Sequence, residues 1–123
     1  PLAVGGAFHS PFMAEAAKGL RTYASGLSFR EPAGPLYADA TNRPYTAADA
    51  AHLLGAQVEI PVRWTELIRA MQADGYMDFV EVGAGQTLSG LILKIGGARL
   101  IAHVEDAASL ADAAQRCKEG TTC

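Results

Sequence analysis

The feature that most restricts the fold of this chain is the run Met77-Asp-Phe-Val-Glu-Val82, which passes through Gly83-Ala-Gly85 straight into an apolar series at Leu88, Leu91, Ile92 and Ile95. β-Branched and aromatic residues suit a pleated surface, the glycines permit a tight turn, and the later spacing is helical. Arg99 to Val104 reads as a further strand, and Asp106 as the cap of a final Ala-rich helix that frays after Cys117. Strands separated by helices in this order predict an α/β chain with a mainly parallel sheet and right-handed crossovers.

The upstream half alternates in the same way. Leu2 to Phe8 is a short apolar run that ends at His9 and reads as a strand feeding a turn. Ser10-Pro11 has the signature of a helix start, with the hydroxyl available to cap N–H groups and proline placed where its missing N–H costs nothing. Met13, Ala16, Ala17, Leu20, Tyr23 and Leu27 predict one buried helix face, and Gly26 a stop. Pro35 to Thr41 reads as a strand that closes in the turn formers Asn42, Arg43 and Pro44. Thr46 with Asp49 resembles a capping box that opens a short helix through Leu53 and Leu54. A further helix is expected from Pro61, with Trp64, Leu67, Ile68 and Met71 as its apolar stripe and Gly75 as a left-handed stop.

At 123 residues, 50% of them apolar, the chain fits one domain with a real core. A net charge of −3, scattered singly, offers no basic stripe, so nucleic acid is not an expected partner. The apolar stretch Leu88 to Ile95 is broken by Ser, Gly and Lys well short of the roughly 20 residues of a membrane span. A soluble protein is expected. The opening Pro-Leu-Ala-Val-Gly-Gly-Ala reads as a cut end rather than a leader or a translation start. Cys117 and Cys123 can close only a trivial loop, which suits a reducing, cytoplasmic setting.

His9 is the first candidate for chemistry, because it falls at a strand-to-helix junction. The positive end of a following helix would disfavour protonation and keep the imidazole able to accept a proton. Taken alone, a histidine in such a turn is more often structural. Gly83 to Gly90 is a glycine turn whose N–H groups could receive an anion, but it has neither a P-loop ending nor a full dinucleotide spacing, and a tight strand-helix turn with close packing is the favoured reading. His52 and His103 have no Cys, Asp or Glu around them at metal-ligand spacing, so no metal site is expected. Asp39 could orient a histidine, or serve a turn. No G-x-S-x-G elbow occurs in the chain, so it is not a self-contained hydrolase.

Three blocks, Gly5-Gly-Ala-Phe-His-Ser-Pro-Phe-Met13, Ile60-Pro-Val-Arg-Trp64 and Glu81-Val-Gly-Ala-Gly-Gln-Thr-Leu-Ser-Gly90, stand in an order and spacing that resembles the malonyl-CoA:acyl-carrier-protein transacylases and related acyltransferase domains. The resemblance implies that residues 10–123 are the C-terminal part of an α/β-hydrolase-like large subdomain. Residues 1–9 would hold the last strand of a ferredoxin-like small subdomain and the catalytic histidine. In that family a serine in a G-H-S-x-G elbow attacks the malonyl thioester, a histidine acts as base and acid, and acyl carrier protein then takes the malonyl group in a ping-pong cycle.

By position His9 matches that histidine. Gln57, placed before Pro61-Val-Arg-Trp64, matches the glutamine whose backbone carbonyl holds the second imidazole nitrogen. Phe8 implies malonyl selectivity, since G-A-F-H is similar to the H-A-F-H of malonyl-selective domains rather than the Y-A-S-H linked to methylmalonyl; Gly6 departs from the pattern. No cofactor is implied. The implied partners are malonyl-CoA, acyl carrier protein with its phosphopantetheine thiol, and an upstream part of the same enzyme carrying the serine, without which the chain is expected to be inactive. The expected setting is fatty-acid biosynthesis, with a polyketide synthase acyltransferase domain, or a non-catalytic interaction module, as the alternatives.

Overall fold

The computed structural model describes residues 5–120, in two compact units, one extending to Ala70 and one beginning at Met71. In the first, a turn of 3-10 helix, Pro11–Met13, leads into α1 (Ala14–Ser25), which packs on α2 (Ala50–Glu59). Small residues let the two helices approach closely: Ala17 and Ala24 are buried on α1, as are Leu53 and Gly55 on α2. A Cβ on Gly55 would lie 3.0 Å from the Ala17 carbonyl oxygen. The buried face of α1 is narrower than expected. Ala17 and Ala24 lie two turns apart on one seam, while Tyr23, 70% exposed, falls to its side and Leu27, 49% exposed, lies beyond the end of the helix.

The strand expected from Pro35 shrinks to β1 (Tyr37–Ala38), which pairs antiparallel with β2 (Arg43–Pro44). Asn42 makes the turn at φ +56, and the N–H groups of Thr41 and Asn42 both reach the Ala38 carbonyl. The turn formers thus build a local hairpin instead of closing a strand of the main sheet. Thr46 Oγ accepts the Asp49 N–H at 3.3 Å and donates to its carboxylate at 2.6 Å. The helix that follows runs to Glu59, beyond the expected Leu54. It ends at Ile60, held extended at φ −112 and ψ 152 as a residue before proline must be.

α3 (Trp64–Ala73) starts three residues later than expected and buries Leu67 and Ile68. Gly75, at φ +95, stops it: its N–H reaches the Gln72 carbonyl and that of Tyr76 the Met71 carbonyl, a Schellman closure.

The second unit holds β3 (Asp78–Val82), α4 (Thr87–Ile95), β4 (Arg99–Val104) and α5 (Ala107–Gly120). β3 and β4 are parallel, with Asp78 opposite Arg99 and Val82 opposite Val104, and the register slips between Phe79 and Val80. α5 packs on β4. It opens on a reciprocal cap, Asp106 Oδ1 taking the Ser109 N–H at 2.8 Å and Ser109 Oγ the Asp106 N–H at 3.0 Å. This helix continues through Gly120 rather than fraying after Cys117. The fold is α/β with a small parallel sheet.

Two expectations near the start change. Residues 5–8 form bends and a turn, not a strand, because Gly5 and Gly6 favour no pleat and His9 has a left-handed backbone at φ +60; residues 1–4 lie outside those described. Ser10 does not cap the next helix, since its hydroxyl donates to the Ala7 carbonyl at 2.6 Å.

Candidate active site

α2 runs into Pro61, and this proline creates the acceptor at the centre of the site. In an α-helix the Gln57 carbonyl would take the N–H of residue 61, and proline has none. The orphaned oxygen is used by His9, whose Nδ1 lies 2.8 Å from it. The His9 backbone N–H donates to the next carbonyl, that of Val58, at 3.0 Å. One residue therefore satisfies two carbonyls of the last turn of α2. A carbonyl only accepts, so Nδ1 carries the proton of the neutral ring and the exposed Nε2 keeps its lone pair.

The position of His9 differs from the expectation in one respect. Its partner is the C-terminal end of α2, whereas the helix after it begins with a 3-10 turn and becomes α-helical only at Ala14. Phe8, 61% exposed, folds its ring back over Gly6, where a Cβ would stand 3.1 Å from Phe8 Cε2. A larger residue at position 6 would displace the ring.

The remaining candidates separate from this cluster. Asp39 sits beyond β1, where its charge, after burial, raises the Tyr45 pKa above the usual tyrosine value. Tyr45 helps line an apolar cavity of about 390 Å3 with Phe29, Leu36, Tyr37, Ala50 and Leu54, and His9, Gln57 and Phe8 are not part of it. His52 is an exposed residue of α2. His103 Nε2 donates to the Gly83 carbonyl at 2.9 Å. Among the described residues no group of His, Cys, Asp and Glu is placed to hold a metal.

The chain's own carboxylates occupy three N–H groups of the Gly83 to Gly90 turn. Glu81 accepts the N–H groups of Leu88 at 3.0 Å and Ser89 at 2.8 Å, as well as the Ser89 hydroxyl, and Glu105 accepts the Gly85 N–H at 3.2 Å. The Ser89 hydroxyl is foremost in holding the buried Glu81 carboxyl below its usual range. These internal bonds suit the tight strand-helix turn favoured from the sequence.

No family model matches the chain. It is 36% identical over 95 residues to the polyketide biosynthesis malonyl CoA-acyl carrier protein transacylase PksC of Bacillus subtilis, a match covering 77% of this chain and 33% of that protein. It is 32% identical over 120 residues to the malonyl CoA-acyl carrier protein transacylase of Bacillus subtilis, covering 97% of this chain and 38% of the relative. The crystal structure of a protein named MCAT from Streptococcus pneumoniae superimposes with a TM-score of 0.85 at 38% identity, over 96% of this chain and 38% of that one.

The chain is a homologue of part of the malonyl CoA-acyl carrier protein transacylases. It spans between 8% and 38% of the length of the curated relatives it matches.

Three residues of this transacylase homologue are prominent in the structure and were not singled out from the sequence. Glu81 caps a helix from a preceding strand, a direction that forward-reading cap patterns do not register. Gly55, in mid-helix, did carry a signal, since a glycine there marks a close approach. Arg21, which fills that approach, looks like any helical arginine.

Proposed function

We propose that this chain forms part of a transferase that moves a malonyl group from malonyl-CoA to the phosphopantetheine thiol of acyl carrier protein, with His9 as general base and acid. The observation that carries the reading is the Nδ1–carbonyl bond to Gln57, which leaves Nε2 of an exposed histidine as a proton acceptor. A serine supplied from outside these residues would give its proton to Nε2 as it attacks the thioester carbonyl. CoA then leaves as the thiol, protonated by the same imidazole, and the sequence repeats in reverse with the carrier thiol. A backbone carbonyl fixes the tautomer while stabilising the imidazolium less than a carboxylate would, and a thioester tolerates the weaker base. No cofactor takes part in this scheme.

The names of the relatives support the substrates, and one solved neighbour is titled as a type II polyketide acyl-carrier protein in complex with its malonyl-transacylase. In this reading residues 10–123 are the C-terminal part of an α/β-hydrolase-like subdomain, residues 1–9 end a ferredoxin-like one, and the upstream part is the third partner. Thioester assays test it. The chain alone should transfer no malonyl group, whereas a chain extended to include a family serine elbow should, and His9→Ala in the extended protein should lower turnover about a hundredfold or more. Near-normal turnover in that variant, or transfer by the 123-residue chain alone, would overturn the assignment.

A second reading places the reaction in polyketide rather than fatty-acid assembly, favoured by the polyketide biosynthesis names of several relatives. Comparing turnover on carrier proteins from the two systems with the extended protein separates them.

A further inference from the structure

Gln57 lies midway between two residues that one side chain of the neighbouring helix engages. Arg21 of α1 crosses Gly55, where a Cβ would come 2.0 Å from its Cγ and 2.9 Å from its Cδ. Its Nη1 then ends 2.8 Å from Oε1 of Glu59, the last residue of α2. The pair is partly buried, with 32% of the Arg21 side chain and 26% of that of Glu59 accessible.

The last turn of a helix is its least constrained part, because its carbonyls lack intrahelical partners. The Gln57 carbonyl belongs to that turn, and the direction in which it points sets which imidazole nitrogen of His9 holds the proton. A clamp at Gly55 and Glu59 fixes the turn on both sides of it.

We propose that Arg21, through Gly55 and Glu59, is a positioning residue for His9: it holds the last turn of α2 so that the Gln57 carbonyl faces Nδ1 and Nε2 stays free to take a proton. This deepens the reading of His9 as base and rests on it. Arg21 itself touches neither substrate nor reacting atoms in this scheme. Gly55 is required because any side chain there would collide with the Arg21 stem and press on the Ala17 carbonyl.

The test is imidazole nitrogen NMR on the full chain with labelled histidine, at a pH where the rings are neutral, alongside circular dichroism. Wild-type His9 should show one tautomer, protonated at Nδ1. Arg21→Met and Gly55→Ala should lose that single tautomer for a mixture, while the helical signal persists and His103, in the second unit, keeps its spectrum. Arg21→Lys, which can still reach Glu59, should restore it at least in part. Should Arg21→Met or Gly55→Ala unfold the first unit, Glu59→Gln carries the test, since it keeps the size and one acceptor oxygen but loses the charge, and it too should give the mixture. A wild-type Nδ1 tautomer that survives unchanged in the folded variants would overturn the positioning role alone. A wild-type His9 protonated at Nε2 would overturn both that role and the reading of His9 as base.

Discussion

Glu81 and Ser89 are joined twice, through the Ser89 N–H at 2.8 Å and through its hydroxyl to the same carboxylate oxygen, while the other oxygen accepts the Leu88 N–H at 3.0 Å. A strand residue thereby supplies the cap that α4 lacks at its own N-terminus, where Gln86 makes no side-chain cap bond. The negative charge also lies at the positive end of the helix.

This cap makes the second unit sensitive to acid. The Glu81 carboxyl lies below its usual range in the folded state because of the Ser89 hydroxyl first and the two N–H groups after it. Asp78 is lowered by its Arg99 partner, and Asp106 by the Ser109 N–H and hydroxyl. For a depressed carboxyl the stabilisation is fully present above the ordinary carboxylate range and disappears as pH falls through the lowered folded-state value. Urea midpoints followed from pH 7 downward should therefore fall in acid, and Glu81→Gln should flatten part of that fall. An unchanged slope in the variant would show that the cap carries no linked proton.

Ile68 is 1% exposed, the largest fully buried side chain among the described residues. Ile68→Ala should cost about 2–5 kcal/mol, as large-to-small core changes do, read as a lower midpoint in chemical denaturation. A cost under about 1 kcal/mol would mean that the site collapses to fill the space or lies outside the cooperative core.

Gly75 sits at φ +95 with nothing within 4 Å of where a Cβ would be. Gly75→Ala therefore isolates the backbone cost, roughly 1–2 kcal/mol for a left-handed L-residue, without a steric clash. A neutral result by thermal or urea unfolding would indicate that the Schellman closure relaxes into another stop.

Phe8 should set acyl selectivity in an extended protein that carries the serine. Phe8→Ser removes the ring that would meet an α-methyl group, so kcat/KM for methylmalonyl-CoA relative to malonyl-CoA should rise by roughly tenfold or more, the scale on which one methyl group discriminates. An unaltered ratio in competition assays would place the selectivity elsewhere.

The second unit was the more legible half in the sequence. Strand, glycine turn, helix and strand follow one another there with their own periodicities and caps, so local preference and tertiary structure agree, down to the Asp106 cap. The first unit was less so. Tyr23 and Leu27 fit a helical apolar face by spacing, yet the close seam belongs to the alanines, because small residues rather than large ones let two helices meet across Gly55. The Pro35 region read as a sheet strand because nothing local distinguishes two-residue ladders from longer ones. The pairing of His9 with the carbonyl of Gln57 depends on contacts 48 residues apart, and only the family resemblance pointed to it. Local sequence reports the missing Pro61 N–H but not which donor takes its place.

The left-handed backbone of His9 adds a constraint on how this position can drift during evolution. Of the residues that tolerate that region, histidine, asparagine, aspartate and glycine are the common ones, and β-branched residues are excluded. A descendant that lost the chemistry would shed its need for an imidazole but keep the turn onto α2. Asparagine or glycine, not valine or threonine, is then the expected occupant at this position in inactive relatives.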